Sequence, residues 1–152
     1  MDAIVAANYT ADLSQRIVEI PSNQTFHMFG VWANGFSNLD IVIDGTLKLH
    51  KDHKRWPTDS KDNIRDFLTF REISNVTFRG NGTVDGQGYM WWVRDLLGLN
   101  PKGRPRMVYI REARDLEFTG IRWINSPKQH LNIKDVFGIH FHDFEIEVNL
   151  KG

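Results

Sequence analysis

Leu116-Glu117-Phe118-Thr119-Gly120-Ile121-Arg122-Trp123-Ile124 alternates apolar and polar residues on both sides of a Thr-Gly corner. Successive strand side chains face opposite ways, and glycine permits a sharp turn, so the stretch reads as two short β-strands joined at a corner. The same unit recurs at Ile41-Val42-Ile43, Asp44-Gly45, Thr46-Leu47-Lys48-Leu49, and at Val76-Thr77-Phe78, Gly80-Asn81-Gly82, Thr83-Val84. It recurs again at Ile139-His140-Phe141, His142-Asp143, Phe144-Glu145-Ile146-Glu147-Val148. Arg16-Ile17-Val18-Glu19-Ile20-Pro21, with Phe26-His27-Met28, reads as a first coil of the same kind.

The first apolar residues of the four units, Ile41, Val76, Leu116 and Ile139, lie 35, 40 and 23 residues apart. The shortest spacing suits one turn of a β-solenoid, and the longer two suit a turn plus an insertion. The insertions are visible as residues 50–63, rich in Lys and Asp, and residues 89–105. In such a stack each rung buries alternate residues and pairs its backbone with the rungs above and below. Helical signal is confined to a turn or two at Asp62-Asn63-Ile64-Arg65-Asp66-Phe67-Leu68 and a short helix at Trp91-Trp92-Val93-Arg94-Asp95-Leu96-Leu97, ended by Gly98. A doubly wound α/β fold needs longer helices. The fold class is therefore all-β, with a β-sandwich as the competing architecture, and residues 1–152 read as one domain without a linker. The chain stops at Val148-Asn149-Leu150-Lys151-Gly152, inside what should be a coil, so the expectation is the N-terminal coils of a solenoid incomplete at its C-terminal end. The missing coils, or another chain, are then the expected partner of that open stack end.

The composition, 41% hydrophobic and 25% charged, is that of a globular chain with a real core. Nineteen Lys and Arg balance nineteen Asp and Glu, which argues against a nucleic-acid partner held by bulk charge and against a polybasic membrane anchor. No apolar run approaches the ~20 residues of a membrane span, and Met1-Asp2-Ala3-Ile4 does not open a signal peptide. The absence of cysteine removes disulfides, thiolate zinc sites and cysteine nucleophiles. Four Asn-x-Thr sequons, at Asn8, Asn23, Asn75 and Asn81, are glycosylation acceptors if the chain is secreted, and lean towards an extracellular protein.

Gly80-Asn81-Gly82-Thr83-Val84-Asp85-Gly86-Gln87-Gly88-Tyr89-Met90-Trp91-Trp92 resembles the early signature of glycoside hydrolase family 28, the polygalacturonases and their relatives. Further matches follow in the family's order: Arg104-Pro105 before a strand, Asn125-Ser126-Pro127, and the strand at Leu131-Asn132-Ile133. Upstream, Gly45-Thr46-Leu47 and Ile20-Pro21 through Phe26 resemble its first coils. The resemblance implies a right-handed parallel β-helix, a secreted protein acting on cell-wall polysaccharide and a polyuronide substrate, pectin or polygalacturonate. It implies inverting hydrolysis without a metal or other cofactor. The family's catalytic motifs, Asn-Thr-Asp-Gly, an Asp-Asp pair, Gly-His-Gly and Arg-x-Lys, do not occur in these 152 residues, so no catalytic residue is assigned and the acids are expected beyond the segment.

Inversion needs an acid and a base roughly 6.5–9.5 Å apart, which a lone Asp85 cannot provide. Asp85 reads as a structural residue bonding backbone amides in a glycine-lined corner. His140 and His142 share a face beside Asp143 and could begin a zinc site, but they equally alternate with core Ile139 and Phe141 as solvent-facing residues. Trp91 and Trp92 could stack on sugars or clamp the insertion to the coil. Lys128, Gln129, His130 and Asn132 are the substrate-binding candidates: with Leu131 and Ile133 inward, His130 and Asn132 point out. By the resemblance, Gln129 holds the coil position occupied one rung later by the Asn-Thr-Asp-Gly aspartate.

Overall fold

A computed structural model describes residues 2–12 and 16–149. The last three positions of the expected final coil, residues 150–152, lie outside the described residues. Strands β1 (Ile17–Ile20), β2 (Thr25–Met28), β3 (Val31–Asn34), β4 (Ser37–Ile43), β5 (Thr46–Leu49), β6 (Leu68–Arg79) and β7 (Thr83–Asp85) form the first part of the chain. Helix α2 (Tyr89–Leu96) and strands β8 (Val108–Thr119), β9 (Arg122–Ile124), β10 (Leu131–His142) and β11 (Glu145–Glu147) follow, and helix α1 (Asp2–Tyr9) precedes them all. One sheet runs β1-β4-β6-β8-β10, with β3 also paired to β6, and the other runs β11-β9-β7-β5-β2. Every pairing between these strands is parallel. The chain is a right-handed parallel β-helix, and the β-sandwich alternative, which is built on antiparallel pairs, falls with that observation.

Register fixes the repeat. Ile17 pairs with Asp40, and Val108 with Leu131, each 23 residues on. Leu39 pairs with Val76, 37 residues on, and Val76 with Leu116, 40 residues on. The 35-residue spacing expected from Ile41 is thus corrected to 37: the repeat starts at Leu39, and Ile41 stacks on Phe78. Two inward columns result, Leu39–Val76–Leu116–Ile139 and Ile41–Phe78–Phe118–Phe141. In the second, Phe78 and Phe118 stack at 4.5 Å and Phe118 and Phe141 at 5.2 Å between ring centroids.

The twelve-residue strands β6 and β8 are not straight. At Glu72 and Asn75, and at Glu112 and Asp115, φ turns positive (53°, 51°, 58° and 53°), and backbone pairing passes over those positions. Each strand therefore bends twice and wraps the core, and Asn and Asp tolerate the left-handed conformation this requires. Asn75 Nδ2 donates to Asn38 Oδ1 of the rung below at 2.8 Å, which ties two such bends together.

The helical expectations divide. α2 ends as read, with Gly98 at φ 66° just beyond it and Leu99 N donating to Arg94 O. Residues 62–67 form no helix and instead deliver Phe67 to the core, while the short 3-10 turn of this insertion sits at His53–Arg55, capped by Asp52. The alternative of Trp91 and Trp92 as a clamp matches their surroundings. Trp91 is buried edge-on against Trp56 (5.6 Å), and Trp92 Nε1 donates to Ser126 O at 3.1 Å. α1 is an element the sequence does not announce; its Ile4 and Ala7 join the core and cover the N-terminal end of the coil. At the other end Phe137, Phe141, Ile146 and Val148 are exposed on the last described rung. Among the described residues no helix is long and apolar enough to cross a membrane.

Candidate functional site

Outside the coil, the side chains opposite the core columns also stack in register. Trp32, Thr69, Tyr109 and Asn132 stand in one column, and Asn34, Arg71, Arg111 and Lys134 in the next, two residues along each strand on the same face. Adjacent rungs are about 4.8 Å apart. An aromatic and hydrogen-bonding column thus runs beside a cationic one, both parallel to the coil axis.

The first insertion walls this face. Between it and the strands lies a groove of about 550 Å³, lined by Trp32, Asp59, Arg65, Asp66, Arg71 and Tyr109 among others. The wall is fixed by Trp32 Nε1, which donates to Asp66 O (2.9 Å), and by Trp56 Nε1, which donates to Arg65 O (2.7 Å). Arg106 donates through its main chain to Asp66 Oδ1 (2.8 Å) and through Nε and Nη2 to Asp66 Oδ2 (3.0 and 2.7 Å). That guanidinium lies 4.3 Å over the Tyr109 ring, with Arg71 at 5.8 Å from the same ring and Arg65 at 4.9 Å from Trp32. Cations over aromatic faces are favoured by the ring quadrupole, and here they hold the half-buried Trp32 and cover the buried Tyr109 ring.

Two of the three groove carboxylates, Asp59 and Asp66, are engaged, and the third, Glu72, is exposed. Asp59 accepts from Asn63 N, Asn63 Nδ2 and Lys61 N. The Asn63 amides, with the Lys61 amide, hold its carboxyl below the usual carboxylate range. A carboxyl so held is a poor proton donor near neutral pH. Asp66 is committed to Arg106. Asp85 behaves as a structural residue, its Oδ1 accepting from Gln87 N at 2.9 Å with Lys48 Nζ 3.8 Å from Oδ2.

The four residues singled out by sequence divide. Asn132 enters the outward column, and its Nδ2 donates to Gln129 Oε1 at 3.1 Å. Gln129 pairs through its carbonyl with Met107 N, and Lys128 is exposed. His130 does not point out. It precedes β10, so strand alternation does not reach it, and its Nε2 accepts from Ser126 N at 3.3 Å in the corner. A ring nitrogen that accepts an N–H is unprotonated, and burial pushes the His130 pKa down against the opposing effect of a hydrogen bond with the Glu147 backbone. His142 is the reverse: hydrogen bonds with Glu117 and Asp143 raise it, with Glu117 Oε1 2.6 Å from Nε2. Among the described residues no cluster of metal-ligating side chains forms around it. Proton NMR titration of the imidazoles should find His130 titrating below, and His142 above, the ordinary value near 6.5. Stability linked to His130 is then present above about pH 6.5 and lost as pH falls through its depressed folded value. The order reversed would contradict both environments.

The family model for glycosyl hydrolases family 28 matches residues 11–151. The chain belongs to that family. It is 34% identical over 140 residues to a probable endopolygalacturonase I of Aspergillus niger, across 90% of this chain and 33% of that protein. It is 24% identical over 148 residues to a polygalacturonase of Chamaecyparis obtusa, across 92% of this chain and 28% of the relative. Among solved structures, the polygalacturonase of Erwinia carotovora ssp. carotovora superposes with a TM-score of 0.70 at 23% identity, covering 88% of this chain and 41% of the other. The endo-xylogalacturonan hydrolase of Aspergillus tubingensis gives the same score at 21% identity, over 90% and 36%. The chain therefore spans about a third of the length of these curated relatives.

Within this family-28 coil, sequence reasoning missed Trp32, Arg65, Asp66, Arg71, Arg106 and Tyr109. A signal existed. Phe70-Arg71-Glu72, Ile110-Arg111-Glu112 and Ile133-Lys134-Asp135 are the same apolar-basic-acidic triplet on three consecutive rungs.

Proposed function

We propose that these rungs provide part of the polyuronide-binding groove of a polygalacturonase-like glycosidase. The whole protein would hydrolyse α-1,4-galacturonosyl bonds of pectin by inverting general acid–base chemistry, its paired carboxylates lying on rungs beyond residue 152. The observation that carries the reading is the groove itself: the half-buried aromatic face of Trp32, bordered by Arg65, Arg71 and Arg106, on a family-28 coil. Pyranose rings stack on such faces, and guanidinium groups bind carboxylates. A further coil, from the same polypeptide or a partner chain, would stack on β10 and β11 and cover Phe141 and Ile146. Secretion with N-glycans is part of the same reading. Asn23, Asn75 and Asn81 are exposed, Asn23 and Asn81 at corners, whereas Asn8 is partly buried with Oδ1 accepting from Ser37 N.

Titrating the chain with oligogalacturonate should change its tryptophan fluorescence, and Trp32→Phe should abolish most of that change. The same chain incubated with polygalacturonate should release no reducing ends. Turnover would overturn the location of the acids, and an unresponsive fluorescence would overturn the groove. The rival reading, a non-catalytic carbohydrate-binding solenoid, is favoured by the engagement of Asp59 and Asp66. It stands or falls on whether the coding sequence after Gly152 carries the acidic motifs.

A further inference from the structure

Three cations stand on consecutive rungs, Arg71, Arg111 and Lys134. They do not carry equal free charge. Arg111 Nε lies 2.9 Å from Glu112 Oε1 and 3.5 Å from Asp135 Oδ2, so two carboxylates already neutralise it. Arg71 has no acidic partner among the described residues; its guanidinium instead faces the Tyr109 ring. Lys134 has none either and is exposed. Arg71 lines the groove and Lys134 stands two rungs further along the same column. An unpaired cation is available to an anionic ligand, whereas a paired one must first lose its partner.

We propose that Arg71 and Lys134 determine specificity by reading the carboxylates of a linear polyuronide laid along the coil axis, with Arg111 as a structural spacer. The inference rests on the polyuronide reading above and adds to it the residues that read charge, and therefore a preference for free acid over methyl ester. The geometry supports it in two ways. The cationic column runs beside the column that holds Trp32, Thr69 and Asn132, so a sugar ring on the one places its substituents over the other. The rung repeat of about 4.8 Å sets the two unpaired cations two rungs apart, matching a polymer that carries one carboxylate per sugar rather than an isolated acid. Neutralising the substituent as an ester removes what a cation can recognise and leaves the stacking surface unchanged.

The experiment is calorimetric titration of the 152-residue chain with a short oligogalacturonate and with its fully methyl-esterified counterpart. Five proteins are compared: wild type, Arg71→Gln, Lys134→Gln, the double variant of these two, and Arg111→Gln. The substituted side chains are exposed, and circular dichroism checks that each variant keeps its fold. Wild type should bind the acid more tightly than the ester. Arg71→Gln and Lys134→Gln should each weaken acid binding about threefold, and together about tenfold, an exposed charge–charge contribution each. Ester binding should not move, and Arg111→Gln should match wild type for both ligands. If wild type discriminates but the two variants keep the discrimination, the assignment of Arg71 and Lys134 is overturned and the groove reading survives. If wild type binds neither ligand, the groove reading fails and the inference with it. An Arg111→Gln loss as large as the others would make the whole column structural, which also overturns the assignment.

Discussion

Phe118→Ala should cost about 3–5 kcal/mol, the range for removing a fully buried aromatic ring, and bring the coil to the edge of unfolding at 25 °C. Phe118 has no exposed surface and occupies the centre of the inward aromatic column. Its ring stacks on Phe78 at an interplanar angle of 6° and on Phe141 at 19°, and meets Trp123 and Phe144 edge-on at 6.2 and 6.3 Å. Each well-placed aromatic pair adds about 0.5–1.5 kcal/mol beyond area burial, and stacking on both faces means that truncation leaves two rings facing a void. Since domain stability is typically about 5–15 kcal/mol, such a loss is most of a marginal fold. Because each rung contacts only its neighbours, the damage should be directional. Hydrogen exchange should accelerate around residues 76–79 and 139–142 before it does in β1 and β2. Phe118→Leu, which refills part of the space, should lose appreciably less. A Phe118→Ala protein within about 1 kcal/mol of wild type in denaturant titration would show that the rings do not form a continuous column.

The corners of this coil are legible in the sequence because their chemistry is local. Asp44-Gly45, Gly80-Asn81-Gly82 and Thr119-Gly120 are turn residues between alternating strands, and each is a corner in the structure. What stays hidden depends on pairing across 23 to 40 residues. Sequence alone takes Ile41 as the first repeat position, whereas Asn38 adopts φ 53° and lets Leu39 turn inward to open the column. The bends at Glu72 and Glu112 have no local signature, since glutamate carries no turn signal and is held left-handed by the rungs on either side. Helix α1 escapes a sequence reading because Ile4 and Val5 are mediocre helix formers; its helicity is set by the open end of the coil that Ile4 and Ala7 cover.

The candidate site follows the same division. Strand alternation finds Asn132, and it misplaces His130 because the alternation does not extend one residue past the start of β10. The column cations are invisible individually, since an Arg in a mixed-charge chain is ordinary surface. Only the register that puts Arg71 over Arg111 over Lys134 separates them from Arg114 or Arg122.

Gly82→Ala should be strongly destabilising through lack of space alone. A Cβ at Gly82 would lie 2.1 Å from Gly45 O, 2.6 Å from Ile43 O and 2.8 Å from Asp44 C. All three are backbone atoms of the rung below, so no side-chain rotation relieves the contact and the rungs themselves must separate. That separation strains bonds that hold the corner: Gly82 N donates to Ile43 O at 2.7 Å, Thr83 N to Gly45 O at 2.9 Å, and Arg122 N to Gly82 O at 3.0 Å. Overpacking of about 1–3 kcal/mol, with weakening of bonds worth about 1 kcal/mol each, gives an expected loss of roughly 3–4 kcal/mol. Gly103→Ala separates this from backbone strain. Gly103 sits at φ 81°, and a methyl added there would meet nothing within 4 Å, so its cost is the left-handed conformation alone, about 1–2 kcal/mol. Gly82 requires no left-handed φ, and its need for glycine is one of space. Thermal unfolding of the two variants side by side decides the matter: equal losses would mean that successive rungs do not touch at Gly82, and the stacking register of the coil would have to be redrawn.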